Sequence, residues 1–318
     1  MASGGASSSK LVVMAALAGN LLVALTKFGA AAWTGSSAML SEAVHSLVDT
    51  INQVLLLYGM HRANKPPDDQ HPLGHGRELY FWSFIVALLM FTIGAGVTLV
   101  EGISHLRHPE EIVDPKVNYV VLALSMLFEG STLFIAIKEF RKAVGNDGYY
   151  KAVRHSKDPP AFIVLFEDSA ALAGLVIAFV GTFLADTLAM PILDGVASIG
   201  ISVLLALTAL MLARESKDLL IGEPASPRIR DSIIAIATGL SNIERANVIF
   251  TVHLAPDQIV AALSLEFADK LTTTDIEDIM LTLDRAIHER HPDIVAVFVK
   301  PQTMGTFQSR RRLLARAV

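Results

Sequence analysis

Apolar residues fall into six long blocks over the first two thirds of the chain, separated by short polar stretches. About 20 mostly apolar residues suffice for a helix to cross a bilayer. The blocks therefore predict six membrane spans at 10–33, 38–60, 79–104, 117–140, 161–185 and 192–213. Turn chemistry marks several breaks: TGSS, KPPDDQHPLGHG and HPEEIVDP. After about residue 220 the pattern changes. SPRIRDSIIAIATGLSNI has helical periodicity, with Ser226 as N-cap and Pro227 at the first helical position. NVIFTVHLA and IVAALSLEFA are β-rich runs divided by a Pro256-Asp257 turn. TTTDIEDIMLTLDRAIHER is an amphipathic helix with a threonine cap, and DIVAVFVK is a last strand.

The expected fold is an α-helical membrane protein, a six-transmembrane-helix bundle followed by a small α+β domain of order αββαβ. The expected boundaries are a flexible N-terminus at 1–9, a membrane domain at 10–220, a cytoplasmic α+β dimerisation domain at 221–301, and a basic, disordered tail at 302–318.

Composition sharpens this picture in three ways. The chain is 52% hydrophobic and 18% charged, below the roughly 25% charged residues of a soluble domain. It has no cysteine, so any metal must be held by His, Asp or Glu. Its net charge of -5 gives no sign of nucleic-acid binding. Basic residues collect on one side of the spans, at Lys10, Arg62, Lys65, Arg77, Lys151, Arg154 and Arg214, against Arg107 and Lys116 on the other. By the positive-inside rule both termini are expected on the cytoplasmic side. The start, MASGGASSSK, lacks the build of a cleaved signal peptide, and with no targeting segment visible a bacterial inner membrane is favoured over an organellar one.

Ionisable residues inside spans are costly and usually functional. In SEAVHSLVDTINQ, His45 and Asp49 are four apart on one helix face, and Asn52 follows one turn on. An imidazole and a carboxylate at this spacing make half of a tetrahedral zinc-type site; the alternative is a hydrogen bond that ties helices together. In the fifth span Glu167 and Asp168 are adjacent, and Glu167 shares a face with the small residues Ala171, Gly174, Ala178 and Gly181. Glu129 in the fourth span, and Lys27 with Asn20 in the first, are candidates for proton handling or for interhelical bonds. Between the second and third spans, Asp68, His71 and His75 form a D-x-x-H-x-x-x-H array that can chelate a metal or serve as polar loop residues.

Together these residues resemble the cation diffusion facilitator family. The likeness covers nearly the whole chain. SEAVHSLVDTINQ, HPLGHGRE, FEGSTL and LFEDSAAL are most similar to the zinc-transporter-nine branch, found in mitochondria and represented in bacteria. The resemblance implies homodimeric, proton-coupled efflux of divalent cations by alternating access, with Zn²⁺ as the default substrate and no organic cofactor. It implies a transport site of His45, Asp49 and Asp168, and an inner-loop site of Asp68, His71 and His75. Many members carry a His four residues before the fifth-span Asp, where this chain has Val164. Glu167, Asn52 or water then supplies the fourth ligand, and an oxygen-rich site relaxes selectivity toward Mn²⁺, Fe²⁺ or Co²⁺, with Cd²⁺ a further alternative substrate. The metal-pair pattern of the family's cytoplasmic domain is largely missing, so this domain is expected to dimerise without a binuclear site. An enzyme is not expected: no HExxH helix, nucleophile motif or phosphate loop is present. The competing expectation is a membrane-bound metal sensor or scaffold without transport.

Overall fold

The structure, a computed structural model, describes residues 4–109, 115–144 and 157–315. The HPEEIVDP break in part, Lys151, Arg154 and Arg316 lie outside the described residues, as do the side chains of Lys10, Arg141 and Lys142. Six long helices come first: α1 (Gly4–Thr34), α2 (Ser37–Ala63), α3 (Glu78–Arg107), α4 (Pro115–Val144), α5 (Pro159–Thr187) and α6 (Ile192–Ile221). A helix covers each predicted span and extends past its predicted ends, except that α6 begins at the predicted Ile192. Helix α1 begins at Gly4, inside the stretch expected to be a flexible N-terminus. Helices α3 to α6 are long and apolar enough to cross a membrane by length and composition alone. Helix α2 is diluted by Glu42, His45, Asp49, Asn52 and Gln53, all of them buried.

The bundle is polar within and apolar without. Val100, Leu127, Phe134 and Leu207 are among its most exposed residues. Outward side chains of this kind suit a lipid solvent, which has no hydrogen bonds to offer. Small residues let the helices approach. A Cβ on Gly181 would collide with that of Ala197 on α6, and one on Gly102 would meet Ile199 at 2.9 Å. Helix α3 carries a π-helical turn at Met90–Ala95, which the sequence pattern did not signal. Such turns disturb the regular backbone ladder, and the Ser202 hydroxyl of α6 donates to the Ala95 carbonyl at 2.9 Å.

The second unit, residues 218–318, has α7 (Pro227–Gly239), β1 (Ile243–Ala255), β2 (Gln258–Phe267), α8 (Thr273–Arg290), β3 (Ile294–Pro301) and α9 (Met304–Ala315). The expected αββαβ order is met. Strand β1 pairs antiparallel with β2 through a two-residue connection at Pro256-Asp257, and β2 pairs parallel with β3 across the α8 crossover. Ser226 caps α7. Thr272 caps α8 in a reciprocal capping box with Asp275. One face of the sheet, through Ile259, Ala261, Leu263 and Ile294, forms a core with Ile233 and Ala237 of α7 and Leu283 and Ile287 of α8. The tail expected to be disordered over 302–318 is instead helical across Met304–Ala315, begun by the Thr303 hydroxyl accepting from the Thr306 amide. Counting its arginines as a solvated charge run missed this start signal.

Candidate functional site

Glu42, His45, Asp49 and Asn52 follow one another at intervals of three, four and three, so one stripe of α2 carries all four. None is more than 3% exposed. His45 Nε2 lies 3.5 Å from Asp49 Oδ2, beyond a good hydrogen bond. Helix α5 packs against α2 and brings Glu167 and Asp168, both buried. The Asn52 amide donates to Glu167 Oε1 at 2.8 Å. Thr132 of α4 neighbours the Asp168 carboxylate, its hydroxyl donating to the Glu129 carbonyl at 2.9 Å.

What sets this region apart is its unmet bonding capacity. Both ring nitrogens of His45, Asp49 Oδ1, Asn52 Oδ1, Glu167 Oε2 and Asp168 Oδ2 are buried without a hydrogen-bond partner. Buried polar atoms are nearly always satisfied. A run of orphans on two facing helices therefore marks a place where something else binds. The ligand atoms of His45, Asp49 and Asp168 do not close into a tight cage. Among the described residues, the one group of three whose ligand atoms all lie within 4.8 Å of one another is Asp68, His71 and His75.

That loop is built around Asp68. Its Oδ1 accepts from the amides of His71 at 2.6 Å and Gln70 at 3.0 Å. The same oxygen stands 3.2 Å from His71 Nδ1, and Oδ2 stands 3.0 Å from His75 Nε2. The hydrogen bond from His75, then that from the His71 amide, hold the Asp68 carboxyl at about 2, below its ordinary value of 3.8. Gly74 supplies the left-handed turn at φ +84° that folds His75 back. His75 is buried while Asp68 and His71 are open to solvent. Glu78, just beyond, clamps the loop through Arg62 at 2.7 Å and Trp82 at 2.9 Å.

Residues 13–221 match the family profile described as the cation efflux transmembrane domain. The chain belongs to the cation diffusion facilitator family. Within it, the chain sits close to the zinc-transporter-nine-like branch: it is 37% identical over 218 residues to the human proton-coupled zinc antiporter SLC30A9, mitochondrial, covering 68% of this chain and 38% of that protein. Metal tolerance protein C4 of Arabidopsis thaliana is 36% identical over 217 residues, 67% of this chain and 47% of that one. The cation-efflux pump FieF of Shigella boydii is 26% identical over 314 residues, 97% of this chain and 99% of that pump. This family member thus spans about two fifths of the length of its SLC30A9 relatives, and nearly the whole of FieF.

Two residues of the facilitator's interior escaped the sequence reading. Glu42 sits three residues before His45 on the same stripe, and that spacing was the available signal. Lys27 Nζ reaches Glu129 Oε1 at 2.8 Å, Glu42 Oε2 at 3.1 Å and Ser46 Oγ at 2.9 Å, so the two coupling candidates, Lys27 and Glu129, meet each other and a third acid. Asp194 at the start of α6 is fully buried and holds the other end of α2. It accepts from the Ser36 hydroxyl at 3.1 Å, the Ala38 amide at 3.0 Å and Thr182 at 3.2 Å. A carboxylate at a helix N-terminus answers orphan amides and the helix dipole. No periodicity in the sequence links positions 36 and 194. In the second unit, His253 Nδ1 faces the Ala255 carbonyl at 3.2 Å, and His291 Nε2 faces Ser232 Oγ at 2.7 Å. His288 Nδ1 turns onto the Asp284 carbonyl of its own helix.

Proposed function

We propose that this chain is a proton-coupled efflux transporter of divalent metal cations, with Zn²⁺ its main substrate, acting as a homodimer by alternating access. The cation enters from the inner side between α2 and α5. It is bound by His45, Asp49 and Asp168, with Glu167 or Asn52 completing the set, and is released outward as protons replace it. The observation that carries this reading is the run of buried, unpartnered N and O atoms on the facing stripes of α2 and α5. Those ligands bind metal only when deprotonated, so exchange with protons is part of the chemistry. The activities for which SLC30A9 and FieF are named, zinc antiport coupled to protons and cation efflux, support the same reading. One imidazole with carboxylates suits zinc. The abundance of oxygen donors suits Mn²⁺, Fe²⁺ and Co²⁺ as weaker competitors, and Cd²⁺ competes as a zinc-like ion at the imidazole.

The loop triad Asp68, His71 and His75 is a second cation site, on the entry side. Ligand atoms around a zinc ion stand about 3.5 Å apart when each is about 2.1 Å from the metal. The 3.0 and 3.2 Å contacts at Asp68 need little adjustment to admit one. Both termini and the α+β unit lie on the cytoplasmic side, and the facilitator acts by transport with no catalytic step.

Proteoliposomes loaded with a metal-sensing dye test this directly. Zn²⁺ flux driven by a proton gradient is expected in the wild type and lost in Asp49→Ala and Asp168→Ala. Flux unaltered in both variants would overturn the site assignment. Metal binding without flux in the wild type would favour a sensor or scaffold.

A further inference from the structure

Lys27 is fully buried on α1 and faces two acids: Glu42 of α2, at 0% exposure, and Glu129 of α4, at 3%. One ammonium cannot neutralise two carboxylates. If both acids were ionised the cluster would hold one uncompensated negative charge in a low-dielectric interior, the arrangement that buried ion pairs tolerate least. The hydrogen-bond pattern is also incomplete, with two carboxylate oxygens lacking a donor. Glu129 Oε1 makes the shorter contact with Lys27, while Glu42 Oε1 and Glu129 Oε2 have no partner.

We infer that the Lys27–Glu42–Glu129 cluster carries one exchangeable proton, held on Glu42, and gives it up when a cation occupies the neighbouring transport site. This rests on the transport reading and adds to it a proton-binding group that is not a metal ligand. The groups around Glu42 are these: Lys27 from α1, Glu129 from α4, Ser46 on α2 itself with His45 and Asp49 one and two turns on, and, from α5, the bare backbone of Gly174 with Asp168 beyond. A Cβ at Gly174 would meet Glu42 Oε1, so the glycine leaves room for the carboxyl in its present rotamer.

The metal site and the cluster are joined by short routes. Glu42 is three residues from His45, a rise of about 4.5 Å along α2. On α4, Thr132 stands one turn from Glu129 and donates its hydroxyl to the Glu129 carbonyl at 2.9 Å, beside the Asp168 carboxylate. A dication arriving between α2 and α5 favours negative charge nearby through a poorly screened interior. The O–H bond of the Glu42 carboxyl then breaks, its proton passes to water, and the carboxylate remains beside Lys27. The cluster moves from neutral to singly negative as two positive charges arrive next to it. Return of the proton restores neutrality and weakens the hold on the cation.

The experiment reads protons released per Zn²⁺ bound by the solubilised full-length chain, with a pH indicator in weak buffer, beside infrared difference spectra of the same titration. Glu42→Gln and Glu129→Gln each leave Lys27 with a single carboxylate and no proton to exchange. Each is expected to bind Zn²⁺ while releasing about one proton fewer than wild type, and to lack one protonated-carboxyl band that wild type loses on metal addition. Two isosteric variants are used so that one misfolded product does not end the test. Proton release and infrared changes equal to wild type in the folded variants would overturn the inference. A wild-type chain that binds no Zn²⁺ would overturn the transport reading and this inference with it.

Discussion

At the scale of single residues, the membrane interior separates groups that pack from groups that bind. Gly174 and Gly130 lie on neighbouring helices and look alike in sequence, yet a Cβ on Gly174 meets Glu42 Oε1 and one on Gly130 meets nothing within 4 Å. Gly174→Ala is therefore expected to be less stable than Gly130→Ala by about 0.5–1.5 kcal/mol, because the Glu42 tip must leave its rotamer. Unfolding in mixed micelles measures both. The loop triad makes a sharper case. His75 is buried and His71 exposed, and both rings face one carboxylate. His75→Ala is expected to remove one equivalent of bound Zn²⁺ in equilibrium dialysis, leaving the site at His45, Asp49 and Asp168 occupied. Loss of all bound metal in that variant would mean that the two sites are not independent.

At the scale of elements, caps decide where the soluble helices begin. The Thr272 hydroxyl accepts from the Asp275 amide at 3.3 Å, and Asp275 Oδ2 accepts from the Thr272 amide at 2.8 Å. Thr272→Ala is expected to cost about 0.5–2 kcal/mol in denaturant unfolding of residues 218–318. The same box gives a pH dependence. Hydrogen bonds from Thr272 hold the Asp275 carboxyl below its ordinary value of 3.8. A lowered carboxyl contributes stability above that unfolded value and loses it as pH falls through the lower folded one. Thr272→Ala should thus separate from wild type at neutral pH and converge on it in strong acid. An unfolding midpoint difference that does not shrink in acid would argue against the box. Within the membrane, the sequence reading found the six spans but not the π-helical turn of α3. That turn depends on the distant Ser202 hydroxyl as much as on its own residues.

At the scale of the whole molecule, the homodimer we propose needs a contact surface, and the α+β unit has an open aromatic face. Phe250, Ala262 and Phe298 align across β1, β2 and β3 on the face opposite the helical core. Phe250 and Phe298 remain 66% and 56% exposed. Paired aromatics so open to water suit an isologous contact. Residues 218–318 are expected to dimerise without metal in analytical ultracentrifugation, and Phe250→Asp to weaken the dimer. Dimerisation lost on chelation, with tight Zn²⁺ binding per domain, would instead make this unit a metal switch.

By itself the amino-acid sequence determined the six spans, the αββαβ order, the caps at Ser226 and Thr272, and the placing of His45 and Asp49 on one helix face. Each of these rests on local chemistry: apolar length against bilayer thickness, periodicity, and side chains one helical turn apart. The loop array at Asp68, His71 and His75 was legible for the same reason, since eight consecutive residues contain all three. Only the tertiary structure decided that Lys27 joins Glu42 and Glu129, that Asn52 reaches Glu167, and that Asp194 caps a helix begun 158 residues earlier. Those partners sit on different helices, and helix–helix register is set by which small residues let backbones approach and by which buried polar atoms must find each other. Neither leaves a mark at a fixed spacing along the chain.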